Sequence, residues 1–166
     1  MRLVTSLLML FAAVSGAPAQ APRLDRIEIF EAGLYRAEVA KEIDAPGLAS
    51  GQRSLLTNIV LAQKTTQVPA RPGVRFGFRY RLVDAPAGGQ VTLKKITRFP
   101  PVGIRNPNTR ETTFRDELEL TKSIGQESYT GYSFDRDFEL VPGVWTMELW
   151  AGDRKLAVQN FTVVKP

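Results

Sequence analysis

The chain contains no histidine and no cysteine. The first absence removes the side chain that titrates nearest neutral pH, and with it Ser-His-Asp and Cys-His nucleophilic sites. The two together exclude thiolate and imidazole zinc, iron–sulfur ligation, and haem held on a His or Cys axis. Disulfides are excluded too, and a chain of 166 residues can bury enough surface to fold without them. Any reaction would have to run on carboxylates, lysines, tyrosines or hydroxyls. Amphipathic helix is also missing: hydrophobic residues recur with period 2 rather than 3.6. There is no internal repeat and no low-complexity tract.

Long apolar runs are absent except at the N-terminus. Arg2 is followed by an apolar stretch over residues 3–14, and Ala17-Pro18-Ala19 reads as a small-x-small cleavage signal before Gln20. The stretch falls short of the roughly 20 residues that span a bilayer. Residues 1–19 are therefore expected to be a signal peptide, and residues 20–166 a single domain that is periplasmic or secreted. With no Cys after the apolar run, a lipidated N-terminus is excluded.

Alternation is clearest at residues 74–82. Val74, Phe76, Phe78, Tyr80 and Leu82 fall on one face, and Arg75, Gly77, Arg79 and Arg81 on the other. Pro72-Gly73 opens this strand and residues 84–89 close it in a loop, so Val91-Thr92-Leu93 is expected to return beside it as a hairpin. Further strands are expected at residues 26–39, 57–68, 114–121, 132–140, 145–149 and 156–164. Residues 55–62 are an apolar run that helix and strand fit equally. Residues 41–54 and 100–111 are expected to be surface loops. About eight short strands punctuated by turns predict an all-β, single-domain antiparallel β-sandwich of immunoglobulin-like topology.

Several landmarks together resemble a known family. They are Ala32-Gly33-Leu34-Tyr35, Val68-Pro69-Ala70, Gly73, Phe76-Gly77-Phe78, residues 99–104 (FPPVGI), and Pro142-Gly143-Val144-Trp145-Thr146-Met147. Gly152, Leu156-Ala157, Phe161 and Val163 complete the set. From about Ile27 to Val164 the chain is similar to the bacterial family designated domain of unknown function 3859, departing from its pattern at Asn106-Pro107-Asn108. The resemblance implies the all-β fold; it brings no activity and no site residue.

The candidate sites are few. With the expected hairpin, Arg79 lies near Lys94 and Arg75 near Arg98, on the face away from the aromatics. Like charges opposed across a sheet are unfavourable. Arg75, Arg79, Arg81, Lys94 and Arg98 therefore read as a groove for an anionic polysaccharide, a lipid head group or an acidic protein. The plainer reading is a solvated face neutralised by Glu117 and Glu119. Trp145 is in phase with Met147 and Leu149 and belongs to the core. Trp150 is out of phase and is the aromatic expected to be exposed for a ligand. Asp135, Asp137 and Glu139 on one strand face are the densest acidic cluster, and a metal or glycoside-hydrolysis site would need them to converge with other segments. Residues 100–109 form the most distinctive loop. Asn160-Phe161-Thr162 matches a glycosylation sequon by coincidence.

The sequence thus points to a non-catalytic exported sandwich that binds an envelope partner or anionic polymer, with no catalytic residue, metal, cofactor, nucleic acid or transmembrane segment after cleavage. Two alternatives stand beside it. One is a carboxylate-dependent glycan hydrolase; the other is a structural accessory that pairs an edge strand with a neighbour.

Overall fold

The aromatic alternation at residues 74–82 becomes the centre of the molecule. In the computed structural model, which describes residues 24–84 and 87–165, it forms β4 (Arg75–Val83). Phe76, Phe78, Tyr80 and Leu82 are each 0% exposed. The export signal expected over residues 1–19 lies outside the described residues. The turn at Pro72-Gly73 holds Gly73 at φ 78°, a conformation that favours glycine, and its N–H donates to the Phe134 carbonyl at 2.8 Å.

Two sheets pack face to face as an immunoglobulin-like sandwich. The first has the order β2 (Gln52–Lys64), β1 (Arg26–Asp44), β4 and β9 (Glu127–Ser133). The second has the order β3 (Gln67–Pro69), β11 (Arg154–Val164), β10 (Gly143–Ala151), β5 (Gln90–Arg98) and β8 (Arg115–Ser123). All pairings are antiparallel except β3 against β11, and β6 (Ile104–Arg105) pairs β7 (Thr112–Thr113) apart from both sheets. Eight of these strands run to seven residues or more, as the spacing of turn residues predicts.

Trp145, on β10, fills the space between the sheets. Its ring centroid lies 4.8 Å from Phe99, 5.0 Å from Tyr132, 5.5 Å from Phe134 and 5.8 Å from Phe76, and its Nε1 donates to the Val141 carbonyl at 2.9 Å. It is wholly buried, as its phase implies.

On the outer side of the first sheet, Gly33, Gly77 and Gly131 line up across β1, β4 and β9. A Cβ on Gly77 would come within 2.2 Å of the Thr130 carbonyl oxygen, and one on Gly131 within 2.1 Å of the Tyr129 hydroxyl. Glycine here lets the twisted strands approach and lets Tyr129 lie across its own strand against Tyr35, at 4.7 Å between centroids.

Three expectations are corrected. First, β4 and β5 do not form a hairpin: β4 pairs with β1 and β9, and β5 with β10 and β8. Leu82 and Leu93 do face one core, but from opposite sheets. Alternation tells which face a residue takes and not which strand lies alongside. Second, much of residues 41–54 is not loop but the end of β1 and the start of β2. Those residues escape the pattern because both faces of that hairpin stay largely in water. Third, residues 132–140 are not one strand. β9 ends at Ser133, and Asp137–Glu139 is a turn of 3-10 helix that buries Glu139. The ambiguous run at residues 55–62 is strand.

Candidate functional site

β1 outruns the sheet that begins it. It pairs with β4 only from Arg26 to Tyr35, while residues 36–44 pair with β2 alone, so the β1–β2 hairpin leaves the sheet as an arm. Four polar contacts lay it back against the sandwich. Ala49 N–H at its tip donates to Asp116 Oδ1 on β8 at 2.8 Å, and Asn106 Nδ2 donates to the Ala49 carbonyl at 3.3 Å. Arg136 Nη2 donates to Gln52 Oε1 at 2.9 Å, and Arg79 Nη2 to the Ile59 carbonyl at 2.6 Å.

Beneath the arm, the free edges of β9 and β8 stand apart and leave a cleft of about 540 Å³ that runs into the space between the sheets. That size lies within the range of about 300–1,000 Å³ usual for small-molecule sites. Its walls carry Arg53 from the arm, Lys95 and Thr97 from β5, Asp116 and Lys122 from β8, and Tyr132 from β9.

The polar groups in this cleft are unusual for the inside of a sandwich. Lys95 is in phase with Leu93 and so points inward, where its ammonium donates to the carbonyl of Gly131 on the β9 edge. Burial pushes its pKa down to about 8, with Arg53 acting in the same direction and Asp116 against it. Burial likewise pushes Asp116 up to about 6, against the opposing effects of the Ala49 N–H and Lys95. Lys122 is lowered by burial and then by Arg53. Among the described residues neither Arg53 nor Lys122 makes an ion pair. Thr97 is 1% exposed, and its hydroxyl has no hydrogen-bond partner among the described residues. A buried hydroxyl is ordinarily paired.

The cations expected to form one groove are divided between the two outer faces. Arg75, Arg79 and Arg81 lie on the outside of the first sheet, Lys94 and Arg98 on the outside of the second. Arg79 is within 3.4 Å of Glu31, Arg81 within 2.8 Å of Glu127, and Arg98 within 3.3 Å of Glu148, while Lys94 sits in register with Glu119. Trp150 is half-buried, with Lys155 5.4 Å and Lys94 6.0 Å from its ring, and its Nε1 donates to Glu148 at 2.9 Å. Burial raises Glu148, but the donors Trp150, Lys155 and Arg98 outweigh it and hold the carboxyl below its usual range.

The acidic cluster is also taken apart. Glu139 turns inward, to accept from Tyr132 Oη at 2.7 Å, Asp135 N–H at 2.8 Å and Arg136 N–H at 2.7 Å, while Asp135 and Asp137 stay exposed. Among the described residues no group of three or more acidic side chains is placed to hold a metal ion.

A family model described as a domain of unknown function, DUF3859, matches residues 24–163. The chain belongs to that family. The DUF3859 chain is also similar to an immunoglobulin-like protein from Pseudomonas aeruginosa whose crystal structure is known. The TM-score is 0.55 and the identity 28%, over 90% of this chain and 100% of that one. An alkylpurine DNA glycosylase from Pseudomonas fluorescens, bound to DNA containing an abasic site analogue, gives TM-score 0.37 and 8% identity over 80% of this chain and 30% of that one. No curated protein matches the chain.

Of the residues that line the cleft in this DUF3859 chain, the sequence pattern singles out Asp135, as part of the acidic cluster, but not Arg53, Lys95, Thr97, Asp116 or Lys122. The signal was there in the phase: Lys95 and Thr97 share a face with Leu93, and Asp116 shares one with Leu118 and Leu120. A polar group on an apolar stripe is what sets these residues apart from the outward Arg75, Arg79 and Arg81.

Proposed function

We propose that this DUF3859 chain is an exported, non-catalytic binding module of the cell envelope, and that it holds its ligand in the cleft beneath the β1–β2 arm rather than on its outer arginines. One observation carries the reading: an inward lysine that makes no ion pair among the described residues, at the wall of a cavity large enough for a ligand. A buried charge costs stability, and perturbed groups of this kind gather at sites of function. The non-catalytic part is supported by the roles already taken by the buried carboxylates, with Glu139 holding a turn, Asp116 the arm and Glu148 the Trp150 cluster.

Strand addition gains one supporting observation, the thirteen-residue β2 at the end of its sheet. Asn58, at φ 51°, and three register shifts against β1 interrupt that edge, so the cleft ranks first.

Two measurements test the proposal. Protein recovered from a periplasmic or secreted fraction should begin at Gln20 by N-terminal sequencing; a chain that keeps residues 1–19 and stays in the cytoplasm overturns the export part. Soluble envelope fractions added to isotope-labelled protein should shift backbone amides of β2, β8 and β9, with no new product by mass spectrometry. Shifts confined to the strand faces of Arg75, Arg79 and Arg81 would return the site to the outer arginines.

A further inference from the structure

We infer that the cleft takes a small hydroxylated carboxylate, of the size and chemistry of a sugar acid, with the carboxylate group received among Arg53, Lys95 and Lys122 and a hydroxyl paired with Thr97. This rests on the cleft being the binding site, as proposed above.

Three cations from three separate elements line one cavity, and like charges gathered in a partly desolvated space repel one another unless an anion joins them. The carboxylates on the same walls offset them only in part. Glu127 is drawn 2.8 Å from Arg81, and Asp135 is attracted by Arg75 and Arg136. Asp116, which accepts from the Ala49 N–H through Oδ1, attracts Lys95 but makes no ion pair with it. Lys95 has three N–H donors, of which the Gly131 carbonyl takes one. Arg53 lines the same cleft, and its planar fork matches a carboxylate or a phosphate in two-point contact.

Thr97 is an independent sign. Its buried, unpartnered hydroxyl lines the cavity, so the occupant must offer a hydrogen-bonding group beyond the charge itself. Ser128, Ser133 and Thr121 add further hydroxyls to the lining, as a polyhydroxylated ligand requires.

The test adds glucuronate, glucose and inorganic phosphate in turn to the purified, isotope-labelled protein and follows backbone amides by NMR. Glucuronate is expected to shift the amides of Arg53, Lys95, Thr97 and Lys122, while glucose and phosphate at the same concentration do not. Lys122→Met, at a half-buried position, should keep the spectrum and unfolding midpoint of the parent and weaken glucuronate about tenfold, the loss of one charge-assisted contact. Thr97→Val should weaken it as well. Equal shifts from glucose would overturn the anionic class and leave the cleft as the site. Equal shifts from phosphate would mean a bare oxyanion suffices and overturn the sugar-acid class. If envelope fractions shift the cleft and none of the three probes does, the inference falls alone; if nothing shifts it, both readings fall.

Discussion

Replacing Glu139 with alanine is expected to lower the unfolding free energy by about 3–5 kcal/mol. The carboxylate is 0% exposed and accepts three donors: Tyr132 Oη, Asp135 N–H and Arg136 N–H. Alanine leaves all three without an acceptor, at about 1–3 kcal/mol for each donor that stays buried, and the costs do not simply add. The damage also spreads inward. Tyr132 stacks 5.0 Å from Trp145 and 5.9 Å from Phe99, so a phenol that turns away to find water loosens the aromatic cluster and one wall of the cleft. Glu139→Gln keeps one acceptor oxygen and should lose less than alanine. Urea unfolding of the three proteins at pH 7 measures the difference. A loss below about 1 kcal/mol for Glu139→Ala would mean that water reaches these donors and that the carboxylate does not organise the turn.

Glu139 also illustrates where sequence reasoning stopped. The alternation of Tyr132, Phe134 and Phe138 with Ser133, Asp135 and Asp137 reads as a strand, yet β9 ends at Ser133 and the chain turns through Asp137–Glu139. A short 3-10 turn has no periodicity long enough to register, and the residue that stabilises it is acidic and therefore reads as surface. The sandwich itself was legible because β4, β10 and β11 each bury one stripe; Phe76, Trp145 and Phe161 lie where their phase puts them. Sheet order was not legible. Pairing of β4 with β1 rather than β5 depends on contacts far apart in the chain, and no local feature of Val83 or Gln90 states it. The cleft suffered from the same blindness, since it is made where β9 and β8 fail to meet and a distant hairpin covers the gap.

The outer arginines and the inner lysine differ in energetic terms. Arg81 and Glu127, 45% and 51% exposed, form a surface pair of the kind that contributes about 0–1 kcal/mol, so the cationic face neither demands a ligand nor strongly stabilises the fold. Lys95 stands opposite in kind, because a charge taken out of water must be compensated by its surroundings. The Gly131 carbonyl supplies one hydrogen bond, while Arg53 works against the ammonium and Asp116, though it attracts the charge, makes no ion pair with it.

Lys95→Met is accordingly expected to raise stability by about 1–3 kcal/mol at pH 7, although it removes a hydrogen bond. An unfolded lysine titrates near 10.5, whereas burial holds the folded ammonium at about 8. Below pH 8 both states carry the proton and the folded state bears the whole cost of desolvating it. Between pH 8 and 10.5 the folded protein has released the proton and the unfolded chain still holds it, so parental stability rises with pH. The advantage of methionine should thus be full below pH 8 and fade towards pH 10.5. Asp116 makes the opposite limb: folding raises its pKa from 3.8 to about 6, so its contribution to stability declines as pH climbs through that window. Asp116→Asn should flatten that limb while leaving Ala49 an acceptor. Urea unfolding at pH 5, 7, 9 and 10.5 separates the two. A Lys95→Met protein less stable than its parent at every pH would make the lysine a structural clasp on the β9 edge. A more stable one that no longer binds in the cleft would mean the charge is kept, at a cost to the fold, for the ligand.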